Sequence, residues 1–252
     1  MIKDLGRAML GSVDGSTAPQ CGTYDDQNAS SRRSGERRTQ ESRHRGWYSR
    51  GYLPHFDSSQ VIQHITYRLA DSLPRMVLAQ MQAELKTSVD DEKRKAELRQ
   101  RIETYLDAGH GSCVLQTPEV AECIVNTWLH FDGERYRLLE WVVMPNHCHV
   151  LIEPFEGAPL GQIVLSWKNY TARFINKYKD RTGARRSQEN SQVWQRDYWD
   201  RFIRNNRHFE AAKNYIVMNP VKAGLVVKPD DWLWSSAGAM TEDSWDKGRV
   251  LA

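Results

Sequence analysis

Val61–Leu69 (VIQHITYRL) is rich in β-branched and aromatic residues and reads as a strand. A long charged segment of helix-forming composition follows over about 73–108, and it breaks near 87–91 into two helices. Pro118 fits the first turn of a further helix, PEVAECIVNTWLHF, with apolar residues at Val120, Ile124, Val125 and Leu129. Tyr136–Met144 (YRLLEWVVM) and His147–Glu153 (HCHVLIE) read as two strands. The turn signal Pro145-Asn146 between them makes the pair a hairpin. Leu160–Tyr178 is a helix, with Leu165, Tyr170, Phe174 and Ile175 among its apolar positions. Arg181–Ser191 is a polar loop, and Phe209–Met218 is a short helix stopped by Asn219-Pro220. The tail carries Gly224-Leu225-Val226-Val227 and Trp232-Leu233-Trp234, and no repeat at solenoid spacing is present. This order of elements implies an α+β fold with helices packed on one face of a small antiparallel sheet.

The first 46 residues depart from this pattern. They are rich in Ser, Gly, Thr and Arg, hold few large apolar side chains, and are expected to be unstructured. Arg32, Arg33, Arg37, Arg38, Arg43 and Arg45 make the end of the stretch basic. It reads either as a flexible DNA-contacting arm or as an over-long start without function. Order is expected from Trp47. The 252 residues, 40% of them hydrophobic, suit one domain with extensions, or at most two small domains. A net charge of +3 says little about partners, but its distribution says more: Ser166 to Lys213 holds 12 Lys/Arg against five Asp/Glu. Such a segment is either a phosphate-following surface or a solvated helical face. Cys21, Cys113, Cys123 and Cys148 form no CxxC pair and no disulfide spacing, which fits a reduced cytoplasmic setting. No apolar run approaches the roughly 20 residues of a membrane span, and the first residues do not read as a signal peptide.

Three motifs bear on chemistry. In MPNHCHVLIEP, His147 and His149 are two apart on a strand and project from one face, good geometry for two imidazoles on one metal ion. Cys148 points to the other face and is expected in the core. The spacing alone equally suits two satisfied rim histidines. His44, His55, His64, His110, His130 and His208 have no such pairing and are taken as surface or satisfied residues. In NYIVMNPVKAG, Tyr215 and Asn219 share a helix face, so they can supply a nucleophile and a third metal ligand, or simply be a half-buried tyrosine and a helix terminator. In VWQRDYWDRFIRNNRHFE, Trp194, Tyr198, Trp199 and Phe202 interleave with Arg196, Arg201, Arg204 and Arg207. That combination suits single-stranded nucleic acid, or a core with a basic surface. Tyr198 is a rival nucleophile.

Together, WVVMPNHCHVLIEP, SWKNYTARFINK, VWQRDYWDRFIRN, NYIVMNPVKAGLV and WLWSSAG, with RGYLPHFDSSQVIQHITYRLADSLP before them, resemble the REP-associated tyrosine transposases. These are a branch of the HUH superfamily of single-tyrosine insertion-sequence transposases. The resemblance covers about residues 46–240. It implies a domain over 47–240 with a variable helical insertion at about 85–110, preceded by a basic extension (1–46) and followed by a tail (241–252). The implied fold is an antiparallel four- to five-stranded sheet with helices on one face, ferredoxin- or RNA-recognition-like. The implied site is Tyr215 as nucleophile, with Mg²⁺ or Mn²⁺ on His147, His149 and Asn219. Mixed nitrogen and oxygen ligation favours Mn²⁺ somewhat. The resemblance further implies nicking and joining of stem-loop single-stranded DNA through a 5′-phosphotyrosine, by a cytoplasmic, nucleoid-associated monomer or homodimer. Trp194, Arg196, Arg201, Arg204 and Arg207, with Lys168 and Arg173 from the preceding basic stretch, are the expected DNA contacts. The alternatives are a hairpin-binding relative without catalysis, a phosphodiesterase using water, and a replication-initiator-type nuclease. No GxxxxGK[ST] helicase motif is present in the chain.

Overall fold

The computed structural model describes residues 46–50, 53–85, 90–184 and 192–239. The expectations for the basic extension up to residue 45, for most of the 181–191 loop and for the 241–252 tail lie outside the described residues.

Strands β1 (Gly46–Arg50) and β2 (Leu53–Asp57) pair as an antiparallel ribbon. The main sheet follows, with β3 (Gln63–Arg68), β4 (Tyr136–Val143), β5 (His147–Pro154) and β6 (Trp199–Phe202) in the order β4-β5-β3-β6. Every pairing in it is antiparallel. Helices α1 (Arg75–Glu84) and α2 (Asp91–Asp107) connect β3 towards α3 (Pro118–Leu129). Helix α4 (Leu160–Thr182) follows β5, α5 (Asn206–Lys222) follows β6, and a short α6 (Ser236–Ala239) closes the described chain. The α+β class with an antiparallel four-stranded sheet is thus observed.

The two-residue period of the strands sorts side chains between two layers. Ile65, Tyr67, Trp141, Val143, Cys148, Val150 and Ile152 point to one face, where α3 and α4 cover them with Ile124, Trp128, Ile163, Val164 and Trp167. The large polar aromatics of this layer are all satisfied. Trp167 donates to the Tyr136 hydroxyl (3.0 Å), Tyr136 donates to the Trp128 carbonyl (2.6 Å), and the Trp128 indole donates to the Tyr67 hydroxyl (3.0 Å). Such a chain of hydrogen bonds lets indoles and phenols be buried without leaving a polar atom unpaired.

The opposite face is covered as well. Val142, Met144 and Leu151 pack with Ala212 and Ile216 of α5. The arrangement of helices on one face therefore holds for α3 and α4, while α5 lies across the other face and forms a second, smaller core. Helix α5 is also longer than expected. It starts at an Asn205 cap, whose side chain accepts from His208 N, and runs through Asn219-Pro220 to Lys222. Pro220 does not stop it because only one intrahelical donor is lost so near the end, and Ala223 N still bonds Asn219 O (3.0 Å). Helix α4 likewise extends to Thr182, where Gly183 takes a left-handed conformation (φ 67) that ends the helix.

Candidate active site

The site is built from the β4–β5 hairpin. Met144 N donates to His147 O (2.9 Å), closing a turn at Pro145-Asn146. Asn146 is fully buried, and its side chain makes three contacts. Its amide nitrogen donates to Leu106 O (3.0 Å) and His110 O (2.8 Å) at the C-terminal end of α2 and just beyond it. Because both partners are carbonyls, the remaining oxygen must accept, and it meets His147 Nδ1 at 2.7 Å. His147 therefore carries its proton on Nδ1 and presents the Nε2 lone pair. His149 Nδ1 lies 2.8 Å from Thr66 Oγ1 on β3, its register partner. The two Nε2 atoms face each other at 3.1 Å. That separation matches neighbouring ligands on one ion with bonds of about 2.1 Å. Burial holds His147 down to about 3 and His149 well below its ordinary value, so both imidazoles are neutral at pH 7, the form able to ligate a metal.

Helix α5 brings the second motif to this face. The Tyr215 ring packs edge-on against His149 (5.1 Å between centroids), and Lys222 one turn beyond Asn219 lies 5.1 Å from the centre of the Tyr215 ring. The buried Tyr215 hydroxyl faces Glu103 and Asn219. Asn219 is fully buried, and its carboxamide has no other partner among the described residues. A buried amide so sparsely bonded is uncommon in folded proteins, because each lost hydrogen bond costs about 1–3 kcal/mol. Among the described residues no three His, Cys, Asp or Glu side chains group as a metal site on their own. The Asn219 carboxamide oxygen, on the same face as the two imidazoles, is a donor that a divalent ion fits.

Two further groups reach the site from α2, inside the segment expected to be a variable insertion. Asp107 Oδ1 lies 3.7 Å from His147 Nε2 and has no hydrogen-bond partner. Burial raises the Asp107 carboxyl to about 6, against the opposing pull of Lys222. Glu103, one turn earlier, is raised by burial and then by Asp107, and it faces the Tyr215 hydroxyl. Burial, then Glu103 and Asp107, push the Tyr215 hydroxyl well above its usual range. His64 also belongs here rather than among the bland histidines. It is buried with Nε2 unpartnered, its ring 5.4 Å from His149 and 5.8 Å from Tyr215. The strand alternation could have found it: His64, Thr66 and Arg68 all oppose Ile65 and Tyr67. Of the other histidines, His55 pairs with Asp200, His110 stacks on Tyr105, His130 packs against Phe131, and His208 Nδ1 accepts from Arg204 N; His44 lies outside the described residues.

The expected DNA contacts divide. Arg173, Arg196, Arg201, Arg204 and Arg207 are exposed. Arg201 sits on β6 opposite His64, close enough to Arg99 and Arg204 for the three charges to act on one another, so a basic rim lies beside the site. Arg99, on α2, was not among the expected contacts. Trp194 is corrected: it is 4% exposed, packs on Tyr67 (4.8 Å) and donates to Thr171 Oγ1 (3.0 Å), so its face is not open to a base. Lys168 braces the chain, donating to Gln195 O (2.6 Å) and Arg196 O (2.8 Å). Tyr198 belongs to the α3–α4 core, with its hydroxyl against Tyr48, on the wrong side of the sheet for a nucleophile. Cys148 is a core residue, as its parity requires.

With this geometry in place, the comparisons with known proteins are informative. Residues 119–219 match the family model described as Transposase IS200 like. A REP-associated tyrosine transposase of Escherichia coli K12 is 29% identical over 101 residues, 40% of this chain and 54% of that protein. A Haemophilus influenzae protein named as a candidate of the same kind is 28% identical over 96 residues, 37% of this chain and 54% of its own length. The chain thus spans about half the length of the curated relatives it matches. A solved structure of a REP-associated tyrosine transposase bound to a REP hairpin superposes with a TM-score of 0.45 at 18% identity, over 72% of this chain and 79% of that one. The central region is thus similar to the IS200-like transposase family, and the chain resembles the REP-associated tyrosine transposases as its motifs suggested.

Proposed function

We propose that the protein is a metal-dependent single-tyrosine transposase that nicks and rejoins stem-loop single-stranded DNA of the REP type. The observation that carries this reading is the meeting of two motifs some seventy residues apart. The Tyr215 ring lies on His149, with its hydroxyl facing Glu103 and the fully buried Asn219. A plain core would fill these positions with apolar side chains.

In this reading His147, His149 and Asn219 hold Mg²⁺ or Mn²⁺. When bound, the ion polarises a phosphate and offsets transition-state charge. The chain's own groups do the rest. Asn146 and Thr66 fix the imidazoles, and the surrounding burial keeps them unprotonated. Tyr215 Oη attacks phosphorus, its proton passing to the Glu103 carboxylate beside it. A bond forms between Oη and phosphorus as the bond from phosphorus to O3′ breaks, and the leaving O3′ takes a proton from solvent water to become a free hydroxyl. The resulting 5′-phosphotyrosine keeps the bond energy, so attack by another 3′-hydroxyl reverses the step and joins strands without ATP. Arg201, Arg204 and Arg99 at the rim are suited to the phosphates of the flanking strand.

The test is incubation of end-labelled REP-type hairpin DNA with Mn²⁺ or chelator, comparing the full chain with Tyr215→Phe. A protease-sensitive DNA adduct that needs metal and disappears in Tyr215→Phe is the expected result. Cleavage that persists in Tyr215→Phe identifies a water-using phosphodiesterase, and hairpin binding without cleavage in any metal identifies a binding protein.

A further inference from the structure

The C-terminal turn of α2 is fastened to the histidine hairpin, and it ends in a largely buried carboxylate. Asn146 bonds the carbonyls of Leu106 and His110 on either side of Asp107, while Leu106 is itself buried. The same Asn146 orients His147. The position of Asp107 relative to the histidines is thereby set by buried hydrogen bonds. On stability grounds the residue is poorly placed. It is the last residue of α2, where the helix dipole disfavours negative charge and no basic residue occupies the last turn. Its Oδ1 is buried and unpartnered, 3.7 Å from the lone pair of His147 Nε2. Two ligands of one ion with bonds of about 2.1 Å stand roughly 3.0 Å apart when adjacent and 4.2 Å apart when opposite, so 3.7 Å falls within that span. Asn219, fully buried beside the Tyr215 hydroxyl, brings a carboxamide to the same face.

We propose that Asp107 is a further ligand of the divalent ion, an anionic oxygen supplied by the α1–α2 segment, making the site two imidazoles, one carboxamide and one carboxylate. The inference rests on the active-site reading above. It gives the inserted helices a part in the chemistry, and it adds a hard, charged donor that favours Mg²⁺ and Mn²⁺ over softer ions. It also accounts for a carboxylate at the negative end of a helix: the ion adds to the positive charge of Lys222 nearby.

The experiment is Mn²⁺ binding to the full chain without DNA, read by the loss of the free-ion electron paramagnetic resonance signal and by calorimetry. The proteins compared are wild type, Asp107→Asn, Asp107→Ala, Glu97→Gln and His147→Ala. Glu97 is an exposed α2 carboxylate paired with Arg101, so its variant controls for a general loss of negative charge. Asp107→Asn and Asp107→Ala are expected to weaken Mn²⁺ at least about tenfold, the scale seen when groups supporting a metal are removed. Glu97→Gln is expected to bind as wild type does. Metal-free thermal unfolding shows that both Asp107 variants fold. Affinity within twofold of wild type in both Asp107 variants, with His147→Ala defective, overturns the ligand assignment and leaves the histidine site standing. Wild-type affinity that His147→Ala does not change, or no Mn²⁺ binding at all, overturns the assignment together with the active-site reading.

Discussion

Replacing Asn146 by alanine removes the one side chain that joins α2, the hairpin turn and the first histidine. Asn146 is fully buried and makes three hydrogen bonds, to Leu106 O, His110 O and His147 Nδ1. Alanine removes the side-chain partner of two carbonyls and a ring N–H. At about 1 kcal/mol for each bond the cost is about 3 kcal/mol. In a domain of this size that corresponds to roughly 6–12 °C in Tm. Urea unfolding followed by tryptophan fluorescence measures it, and hydrogen exchange should show α2 losing protection first. Asn146→Asp sharpens the test. It keeps the acceptor for His147 but turns an oxygen towards both carbonyls, so at pH 7 it should destabilise at least as much as alanine. A loss below about 1 kcal/mol in Asn146→Ala, or an Asn146→Asp variant as stable as wild type, would refute the hub assigned to this residue.

The proposed nucleophile and the hub should behave differently: Tyr215→Phe, which removes a hydroxyl set against Glu103 and Asn219, should abolish the DNA adduct while lowering stability in urea by no more than about 1 kcal/mol. Cys148→Ser should leave Mn²⁺ affinity intact and lower stability by about 1–2 kcal/mol, since it places a hydroxyl in the α3–α4 core rather than at the metal; calorimetry and urea unfolding separate the two effects. Acid should unfold the metal-free protein early. His64 and His147 are lowered from 6.5 to about 3 by burial, so the unfolded chain takes up more protons in that window, and stability is full above pH 6.5 and falls as pH drops towards 3. Each of the two contributes about 1.4 kcal/mol per pH unit, and His149 adds to them in the same direction. Asp107, raised from 3.8 to about 6, binds its proton first in the folded state and offsets part of the loss between those values. A urea midpoint that rises between pH 7.5 and pH 5 would contradict this balance.

Much of the site was legible before any coordinates. The two-residue period of a strand is enough to place His147 and His149 together and Cys148 away from them, and the four-residue offset on a helix is enough to place Tyr215 with Asn219. Proline and asparagine at 145–146 announce the hairpin, and the order of periodic segments gives the α+β class. These are local properties, fixed by backbone geometry within a few residues. What periodicity cannot decide is which face meets which. That α5 crosses the histidine side of the sheet, turning two weak motifs into one cluster, follows from Ala212 and Ile216 finding Leu151 and Val142. That the charged α2 ends beside the histidine pair follows from one buried amide, Asn146, finding its acceptors at Leu106 and His110. Trp194 and Tyr198 look like a base-stacking platform in sequence, and burial in the α3–α4 core takes them out of it. His64 becomes part of the site only because β3 lies beside β5. The sequence by itself determined which side chains share a face. The tertiary structure decided which faces close on one another, because that depends on long-range packing and on satisfying every buried polar group, neither of which is written in any short stretch of chain.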